Sequence, residues 1–272
     1  MTATALAEAG FQRLRELLRG LDSVAVACSG GLDSSLLLAA ARVALGDRVL
    51  ALTVATPYMV DGEIAAAREL TAQLGVRHRV LELPMPNEIA HNPPDRCYRC
   101  KLTLFAELKS VAAEEGFTWL ADGSNQDDLA DYRPGMRALR ELDIRSPLLE
   151  ARLGKVEIRR YARALNLPVW DKPASACLLT RLPHGTEVRF ELLRRVETAE
   201  SALRALGFGT VRVRCHGDLA RIEVDRAERA RLLDEAVAEQ VVAALTGCGF
   251  RYVTLDLQGY RMGSFNLPPP AE

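Results

Sequence analysis

Six residues between two apolar stretches have the types and the spacing of an anion-binding loop. The run S-G-G-L-D-S occupies positions 29–34, between the uncharged segment 24–28 and the leucine-rich segment 36–40. These segments predict a buried strand followed by a helix. Glycines at such a junction let backbone N–H groups approach a phosphate, and the helix N-terminus adds its positive dipole end. The stretch therefore predicts a phosphate site. An ordinary turn, in which Asp33 and Ser34 only cap the helix, is the alternative.

The residue order distinguishes this loop from two common phosphate loops. A Walker loop needs a Lys-Ser/Thr pair after its last glycine, and a dinucleotide fingerprint needs three spaced glycines, whereas this chain has only Gly30 and Gly31 here. The pattern S-G-G-x-D-S resembles the pyrophosphate loop of the PP-loop ATP pyrophosphatases, which split ATP into AMP and pyrophosphate. That resemblance implies a pyrophosphate site at Ser29, Gly30, Gly31 and Ser34, with Asp33 helping to hold Mg²⁺.

Cysteines are the second group of residues with chemical potential. Cys97 and Cys100 form a C-x-x-C pair that follows a proline-rich loop and opens a predicted helix. Two thiolates at this spacing can bind one metal centre, but a structural zinc site usually needs four protein ligands, and the chain has no second C-x-x-C. Cys177 is a candidate third ligand, and three thiolates suit a [4Fe-4S] cluster with one iron open to an extra sulfide. Zinc and a redox pair stay open as alternatives.

Composition and charge narrow the class of protein. The 272 residues have a formal net charge of -1, which gives no electrostatic argument for nucleic-acid binding. No apolar stretch is long enough to span a bilayer, and the N-terminal segment does not have the pattern of a leader peptide. We therefore predict a cytoplasmic protein without nucleic-acid or membrane partners, whose cysteines are reduced.

Apolar and amphipathic segments alternate in a way that predicts an α/β fold with a doubly wound parallel sheet. Strand patterns at 50–55, 78–83 and 118–121 alternate with helical patterns at 63–74 and 102–115. Such sheets bind ligands beyond the carboxyl ends of their strands. The candidate ATP ligands there are Thr53, Tyr58 and Asn125, and weaker candidates are Asp128 and Lys155.

The pattern changes beyond residue 183. A helix over 188–206, two strands around a 216–218 turn, a helix over 227–245 and a strand over 252–257 predict a smaller α+β domain. This order does not extend a doubly wound sheet in a simple way. We therefore predict two domains, 1–175 and 176–272.

Further motifs extend the resemblance to nearly the whole chain. W-D-K-P-A-S-A-C-L-L-T-R occupies 170–181, and H-G-T-E-V at 184–188, G-D-L-A-R-I-E at 217–223 and L-D-L-Q-G-Y-R at 255–261 follow it. With the loop, they resemble the LarE family of ATP-dependent sulfur transferases, which serve synthesis of the nickel-pincer nucleotide cofactor. The resemblance implies that ATP adenylates the carboxylates of pyridinium-3,5-dicarboxylate mononucleotide, and that sulfur then displaces AMP to give thiocarboxylates.

The cysteine pattern assigns the chain to one branch of that family. In another branch a single cysteine, matching Cys177, gives up its own sulfur and becomes dehydroalanine. The additional thiols of Cys97 and Cys100 indicate instead the branch with a [4Fe-4S] cluster, in which Cys177 is a ligand and a cluster-bound sulfide is transferred. A sulfide donor must then supply that sulfur. The resemblance also implies a homo-oligomer, a PP-loop domain over 1–175 and a substrate-binding and sulfur-transfer domain over 176–272.

Arginines in the C-terminal half are candidate ligands for the anionic substrate. Arg212 and Arg214 alternate on a predicted strand, so both guanidiniums point to one face and suit one phosphate. Thr180 and Arg181 directly follow Cys177. A solvated arginine face is the alternative for each of these arginines. Weaker candidates for substrate or metal contact are Glu187, Glu200 and Glu223.

Three other functions compete with this assignment. Some PP-loop enzymes that thiolate tRNA also carry three-cysteine clusters, but they usually add basic surface or extra RNA-binding or zinc modules. The near-neutral charge and the absence of a further C-x-x-C pair count against this function here. A non-catalytic nucleotide or iron–sulfur sensor is a second alternative. An amide-forming ligase is a third, and it leaves the cysteines unexplained.

Overall fold

A computed structural model describes residues 5, 7–60, 62–130, 133–172 and 176–261 of the chain. The fold divides into two units. Unit 1 comprises residues 1–56, 61–86 and 95–175, and unit 2 comprises 57–60, 87–94 and 176–272. Two short segments from the first half of the chain thus belong to unit 2, which no local sequence pattern indicated. The assignment of a separate functional domain to 1–175 and to 176–272 stays a prediction.

Unit 1 contains a parallel sheet. Its strands are β1 (Val24–Ala27), β2 (Val49–Ala55), β3 (Arg77–Glu82) and β4 (Leu120–Ala121). The strand order is β3-β2-β1-β4, and all three pairings are parallel. β1 is paired on both sides and most of β1 and β2 is buried, which explains why both strands are apolar without alternation. The predicted parallel sheet is confirmed.

Seven helices of unit 1 flank this sheet within the described ranges. They are α1 (Ala9–Arg19), α2 (Leu32–Leu45), α3 (Glu63–Leu74), α4 (Arg96–Glu114), α5 (Gly135–Glu141), α6 (Pro147–Glu150) and α7 (Lys155–Ala164). Most residues of α2 are buried, including three consecutive leucines, Leu36, Leu37 and Leu38. α2 belongs to the same apolar core as Phe11 of α1 and Tyr161 of α7, whose rings meet edge to face. This burial holds the first turn of α2 at the end of β1.

Unit 2 contains a second, smaller sheet. Its elements are α8 (Phe190–Ala205), β5 (Val211–His216), β6 (Leu219–Val224), α9 (Glu235–Gly247) and β7 (Tyr252–Leu255). β5 and β6 form an antiparallel hairpin, and β7 joins β6 in parallel. The smaller α+β region at the C-terminus is confirmed. In the described parts of both units, no helix combines the length and the apolarity needed to cross a bilayer.

The prediction of one helix over 227–245 is wrong. Residues Arg226–Leu233 form a 3₁₀ helix instead, and α9 begins only at Glu235. No residue of the 3₁₀ segment is buried, so packing does not support a regular α-helix there. Asp234 accepts a hydrogen bond from the Val237 N–H at 3.2 Å, and this N-cap starts the helix afresh.

The close approach of α3 to the loop after β1 predicts a specific cost of substitution. Gly30 has φ 71°, and a Cβ there would lie 2.6 Å from the Glu63 carbonyl oxygen. Gly46 has φ 63° but open space around it among the described residues. We expect Gly46→Ala to lower the free energy of unfolding by about 1–2 kcal/mol through backbone strain alone. Gly30→Ala should lower the free energy of unfolding by about 1–3 kcal/mol more than Gly46→Ala does, because the added methyl group would clash with the Glu63 carbonyl oxygen.

Urea unfolding of both variants, followed by circular dichroism, measures this difference. Gly46→Ala is the control, since both glycines have a positive φ. Equal losses of stability would show that the approach of the Glu63 carbonyl to Gly30 has no energetic consequence.

Candidate functional site

The predicted pyrophosphate loop connects β1 to α2 at the carboxyl end of the parallel sheet. Gly31 is the N-cap of α2, so no side chain caps the first turn of this helix. The Ser34 hydroxyl donates to the Gly31 carbonyl oxygen at 3.2 Å and accepts from the Ser29 N–H at 3.2 Å. Ser29 Oγ in turn accepts from the Gly31 N–H at 3.4 Å. The two serines therefore close the loop, and Asp33 and Ser34 lie inside the helix rather than at its cap.

Asp33 is the acidic group of this loop. Its carboxylate forms an ion pair with the Lys155 ammonium. Burial raises the pKa of Asp33 although Lys155 opposes this change, and the nearby Asp128 carboxylate raises the pKa further. Asp33 Oδ1 is buried and has no hydrogen-bond partner among the described residues. An oxygen in that situation is available to a hard cation.

The segment after β4 packs against the first turn of α2. A Cβ on Gly123 would lie 2.9 Å from the Ser34 nitrogen, so a larger residue does not fit without a shift. Asn125 is fully buried. Its Oδ1 accepts from the Asp127 N–H at 3.1 Å, whereas its Nδ2 has no partner among the residues the structure describes. Asn125 follows a strand, as predicted, and has an amide group to offer a ligand.

Thr53 lies inside β2, within the strand predicted over 50–55, and not beyond the end of a strand as expected for an ATP ligand. Its hydroxyl donates to the Cys28 carbonyl oxygen at 2.6 Å. His78 Nε2 lies 2.8 Å from the same hydroxyl, and Nδ1 lies 3.1 Å from the Thr71 hydroxyl. Burial lowers the pKa of His78, and the neighbouring Arg68 lowers it further. Thr53 therefore fixes the chain where β1 enters the loop.

Two lysines contact the loop, and one of them was missed by the sequence analysis. Lys155, a weaker candidate, pairs with Asp33, and Lys172 Nζ donates to the Gly30 carbonyl oxygen at 3.2 Å. A signal for Lys172 was available, since only four of the 35 basic residues are lysines: Lys101, Lys109, Lys155 and Lys172. Lysine has a compact charge that arginine does not reproduce.

The C-x-x-C pair opens a helix of unit 1, as predicted, although α4 begins at Arg96 and not at residue 102. Cys97 is exposed and Cys100 is half-buried. A Cβ on Gly135 would lie 3.3 Å from the Cys97 carbonyl oxygen, so α5 begins close against the first turn of α4. All six cysteines are described, and none is in a disulfide. Among the described residues, no group of three or more His, Cys, Asp or Glu side chains is arranged to hold a metal ion.

Cys177 belongs to unit 2, where hydrogen bonds hold the chain that follows it. The Leu178 N–H donates to the Tyr58 carbonyl oxygen at 3.0 Å, and Asn92 Nδ2 donates to the Leu182 carbonyl oxygen at 2.9 Å. Tyr58, predicted as an ATP ligand, is fully buried and belongs to this unit. Motif residues 173–175 lie outside the described residues.

Arg181 is buried beside Cys177. Its Nε and Nη2 donate to the two carboxylate oxygens of Glu200 at 2.8 and 3.0 Å. Its Nη1 donates to the carbonyl oxygens of Ala176 at 2.5 Å and Cys177 at 3.0 Å. Burial opposes the charge of Arg181, but the bonds to Glu200 outweigh burial and raise its pKa.

Arg214 has a matching arrangement. Its Nε and Nη2 donate to the two carboxylate oxygens of Glu223 at 2.9 and 2.6 Å, and its Nη1 donates to the Thr180 carbonyl oxygen at 2.6 Å. Glu223 is completely buried. A solvated arginine face, the alternative considered for these arginines, is therefore excluded.

Arg212 alternates with Arg214 on β5, as predicted, and is also buried. Its Nη1 donates to the Val211 carbonyl oxygen at 2.8 Å, and its guanidinium lies 5.2 Å from the centre of the Tyr260 ring. Burial lowers the pKa of Arg212, and the charge of Arg181 lowers it further. A bound anion would relieve this electrostatic cost.

Comparisons with known proteins extend over both units. The family described as queuosine biosynthesis protein QueC matches residues 23–93. The chain is 40% identical over 252 residues to the pyridinium-3,5-bisthiocarboxylic acid mononucleotide synthase of Lactiplantibacillus plantarum, covering 92% of this chain and 91% of that protein. It is 40% identical over 262 residues to an uncharacterized protein of Synechocystis, covering 95% and 97%. An uncharacterized protein of Methanocaldococcus jannaschii is 31% identical over 240 residues, covering 88% and 90%.

The raised pKa of Asp33 predicts how stability depends on pH. The folded protein binds this proton more tightly than the unfolded chain, whose aspartate pKa is about 3.9. The contribution of Asp33 to stability therefore falls as the pH rises from that value to the folded pKa, and it stays unfavourable at higher pH. Asp33→Asn removes this cost. We expect it to raise the free energy of unfolding at pH 7 by about 1 kcal/mol in the absence of nucleotide.

Urea unfolding at pH 7 and at pH 3 measures this effect, which should shrink at the lower pH. Asp22→Asn is the control, because Asp22 is exposed and its only described ion pair, with Arg48, is solvated. A destabilised Asp33→Asn variant at pH 7 would contradict the prediction.

Proposed function

Because the chain belongs to the LarE family of pyridinium-3,5-bisthiocarboxylic acid mononucleotide synthases, we propose that it converts the carboxylates of pyridinium-3,5-dicarboxylate mononucleotide to thiocarboxylates. The product serves the nickel-pincer cofactor. The observation that carries this proposal is the identity of 40% over 92% of the chain. A phosphate-type loop at the start of α2 and a buried arginine cluster in unit 2 are what such a reaction needs.

A carboxylate is a poor electrophile, so the reaction needs activation by ATP. A substrate carboxylate oxygen attacks the α-phosphorus of ATP, and the bond to pyrophosphate breaks. Sulfur then attacks the acyl carbon of the adenylate, a C–S bond forms, and AMP leaves with the C–O bond electrons. Backbone N–H groups at Gly30, Gly31 and the first turn of α2 would stabilise the departing pyrophosphate.

The residues at the loop fit Mg²⁺. Asp33 offers a buried carboxylate oxygen without a described partner, and oxygen is the donor that Mg²⁺ prefers. Bound Mg²⁺ would neutralise charge on the pyrophosphate as it leaves. Asp33 would hold the ion, and the Lys155 ammonium would then face the phosphates. As further ligands of ATP we propose Ser29, Ser34, Thr53, Tyr58 and Asn125.

We assign the substrate phosphate to Arg212, because its guanidinium is buried and burial lowers its pKa. Thr180 completes the proposed set of direct ligands, whereas the other residues that the sequence assigned to this set, Arg181, Arg214 and Glu223, lie in buried ion pairs of unit 2. The ion pairs Arg181–Glu200 and Arg214–Glu223 are buried in the same unit as Cys177.

We further propose that Cys97, Cys100 and Cys177 hold a [4Fe-4S] cluster. Thiolates are the ligands that such clusters prefer, and none of these three cysteines is fully buried. A cluster would supply sulfide from an external donor, so that Cys177 is not consumed in each reaction. A reducing, cytoplasmic location fits these thiols, and we propose a homo-oligomer that binds neither nucleic acid nor membrane.

The enzymatic proposal predicts pyrophosphate release that depends on the pyridinium nucleotide. The assay contains ATP, Mg²⁺, reductant, sulfide and the dicarboxylate, and mass spectrometry detects exchange of oxygen for sulfur. Arg212→Lys should raise KM for the nucleotide at least about tenfold, because lysine loses bidentate phosphate binding. Thiolated tRNA with an unchanged pyridinium nucleotide would overturn the assignment. ATP binding without pyrophosphate release would favour a sensor.

The cluster proposal predicts the metal content of cysteine variants. After anaerobic reconstitution, wild type and Cys248→Ala should contain about four irons per chain, as a [4Fe-4S] cluster requires. Cys97→Ala and Cys177→Ala should lose most of this iron. Equal iron in all four proteins would rule out the ligand set. Iron-free wild type with Cys177 converted to dehydroalanine after turnover would show the sacrificial route instead.

A further inference from the structure

Two arginines of unit 2 hold the main chain around Cys177. We infer that Arg181 and Arg214 are positioning residues, which act on sulfur transfer by fixing the segment 176–180 and not by binding the substrate directly. The inference rests on the proposed function for the role of Cys177. Its structural part concerns only unit 2 and can be tested without substrate.

Arg181 fixes the chain on the N-terminal side of the reactive position. Its Nη1 donates to the main-chain carbonyls of Ala176 and Cys177 and also lies 3.0 Å from the Thr180 hydroxyl oxygen. Its Nε and Nη2 donate to the two carboxylate oxygens of Glu200, and this two-point contact fixes the plane of the guanidinium. The direction of Nη1, and with it the direction of these carbonyls, is therefore set by Glu200.

Glu200 is itself held by two further contacts. Its Oε1 accepts from the Val213 N–H at 3.1 Å, and its Oε2 accepts from Arg204 at 2.9 Å. Glu200 lies on α8 and Val213 lies on β5, so two elements of unit 2 define its position. The segment that carries Cys177 is thus connected to the core of the unit through side-chain bonds.

Arg214 fixes the C-terminal side in the same way. Its Nη1 donates to the Thr180 carbonyl oxygen, and Glu223 on β6 engages its Nε and Nη2. Two arginines on different elements therefore hold one five-residue segment at both ends. An anion that bound either guanidinium directly would have to displace a buried carboxylate or these carbonyls, and that exchange is costly.

Hydrogen–deuterium exchange of the full chain without substrate tests the structural part. Removing one charge of a buried pair risks unfolding, so the variants replace both members: Arg181→Met with Glu200→Gln, and Arg214→Met with Glu223→Gln. The amides to follow are those of Thr180, which donates to the Cys177 carbonyl oxygen, and Leu182, which donates to the Leu179 carbonyl oxygen. We expect exchange at least about tenfold faster, because the lost bonds are charge-assisted.

Arg204→Gln is the matched control. Arg204 also donates to Glu200, but its described contacts do not include the segment 176–180. In the Arg204→Gln variant, hydrogen–deuterium exchange at the Thr180 and Leu182 amides should equal that of wild type. If the two paired variants also exchange like wild type, the positioning role is wrong, whatever the enzyme's substrate is.

Kinetics test the functional part. For the paired variants we expect kcat for thiocarboxylate formation to fall at least about tenfold, since the sulfur is misplaced. KM for the pyridinium nucleotide and the rate of ATP–pyrophosphate exchange should stay close to the wild-type values. A rise in KM like that of Arg212→Lys, without a loss of kcat, would identify direct substrate ligands and overturn the inference.

Absence of any pyridinium-dependent activity in wild type would overturn the proposed function alone, since the hydrogen–deuterium exchange experiment uses no substrate.

Discussion

Charge buried in a protein costs free energy unless an opposite charge or hydrogen bonds compensate it, and this chain buries charge in both units. In unit 1 the Asp33 carboxylate pairs with Lys155. In unit 2 Arg181 pairs with Glu200, and Arg214 pairs with Glu223. Two points are candidates for a ligand: Asp33 Oδ1, which has no hydrogen-bond partner among the described residues, and the buried Arg212 guanidinium, whose pKa burial lowers. We propose a cation at the first and a phosphate at the second.

The apolar core of unit 1 makes the loop geometry possible. Because α2 is buried along most of its length, its first turn cannot move away from the sheet, and its N–H groups stay directed at one place. The loop itself then needs few side chains, namely two serines that close it and two glycines that leave space for backbone. The same rigidity forces Asp33 into a partly buried position, where its charge is unfavourable without a ligand.

Patterns along the chain were sufficient for the parallel sheet, the flanking helices and the C-terminal hairpin, because each depends on local periodicity and on turn residues. They failed where packing decided the outcome. The helix predicted over 227–245 is divided because its first part has no buried face. Lys172 was missed although lysine is rare in this chain, because its contact with Gly30 joins residues far apart in sequence.

The sequence by itself determined the family, the kind of loop, the parallel sheet and the set of thiols and arginines available for chemistry. These follow from residue types at short spacings, which the chain carries whether or not it is folded. Only the tertiary structure decided what the arginines touch. Whether a guanidinium faces water, a glutamate or a main-chain carbonyl depends on residues far apart in sequence, such as Arg181 and Glu200, that packing brings together. For that reason the sequence predicted ligands of a substrate, and the fold revealed residues that also hold the chain around Cys177.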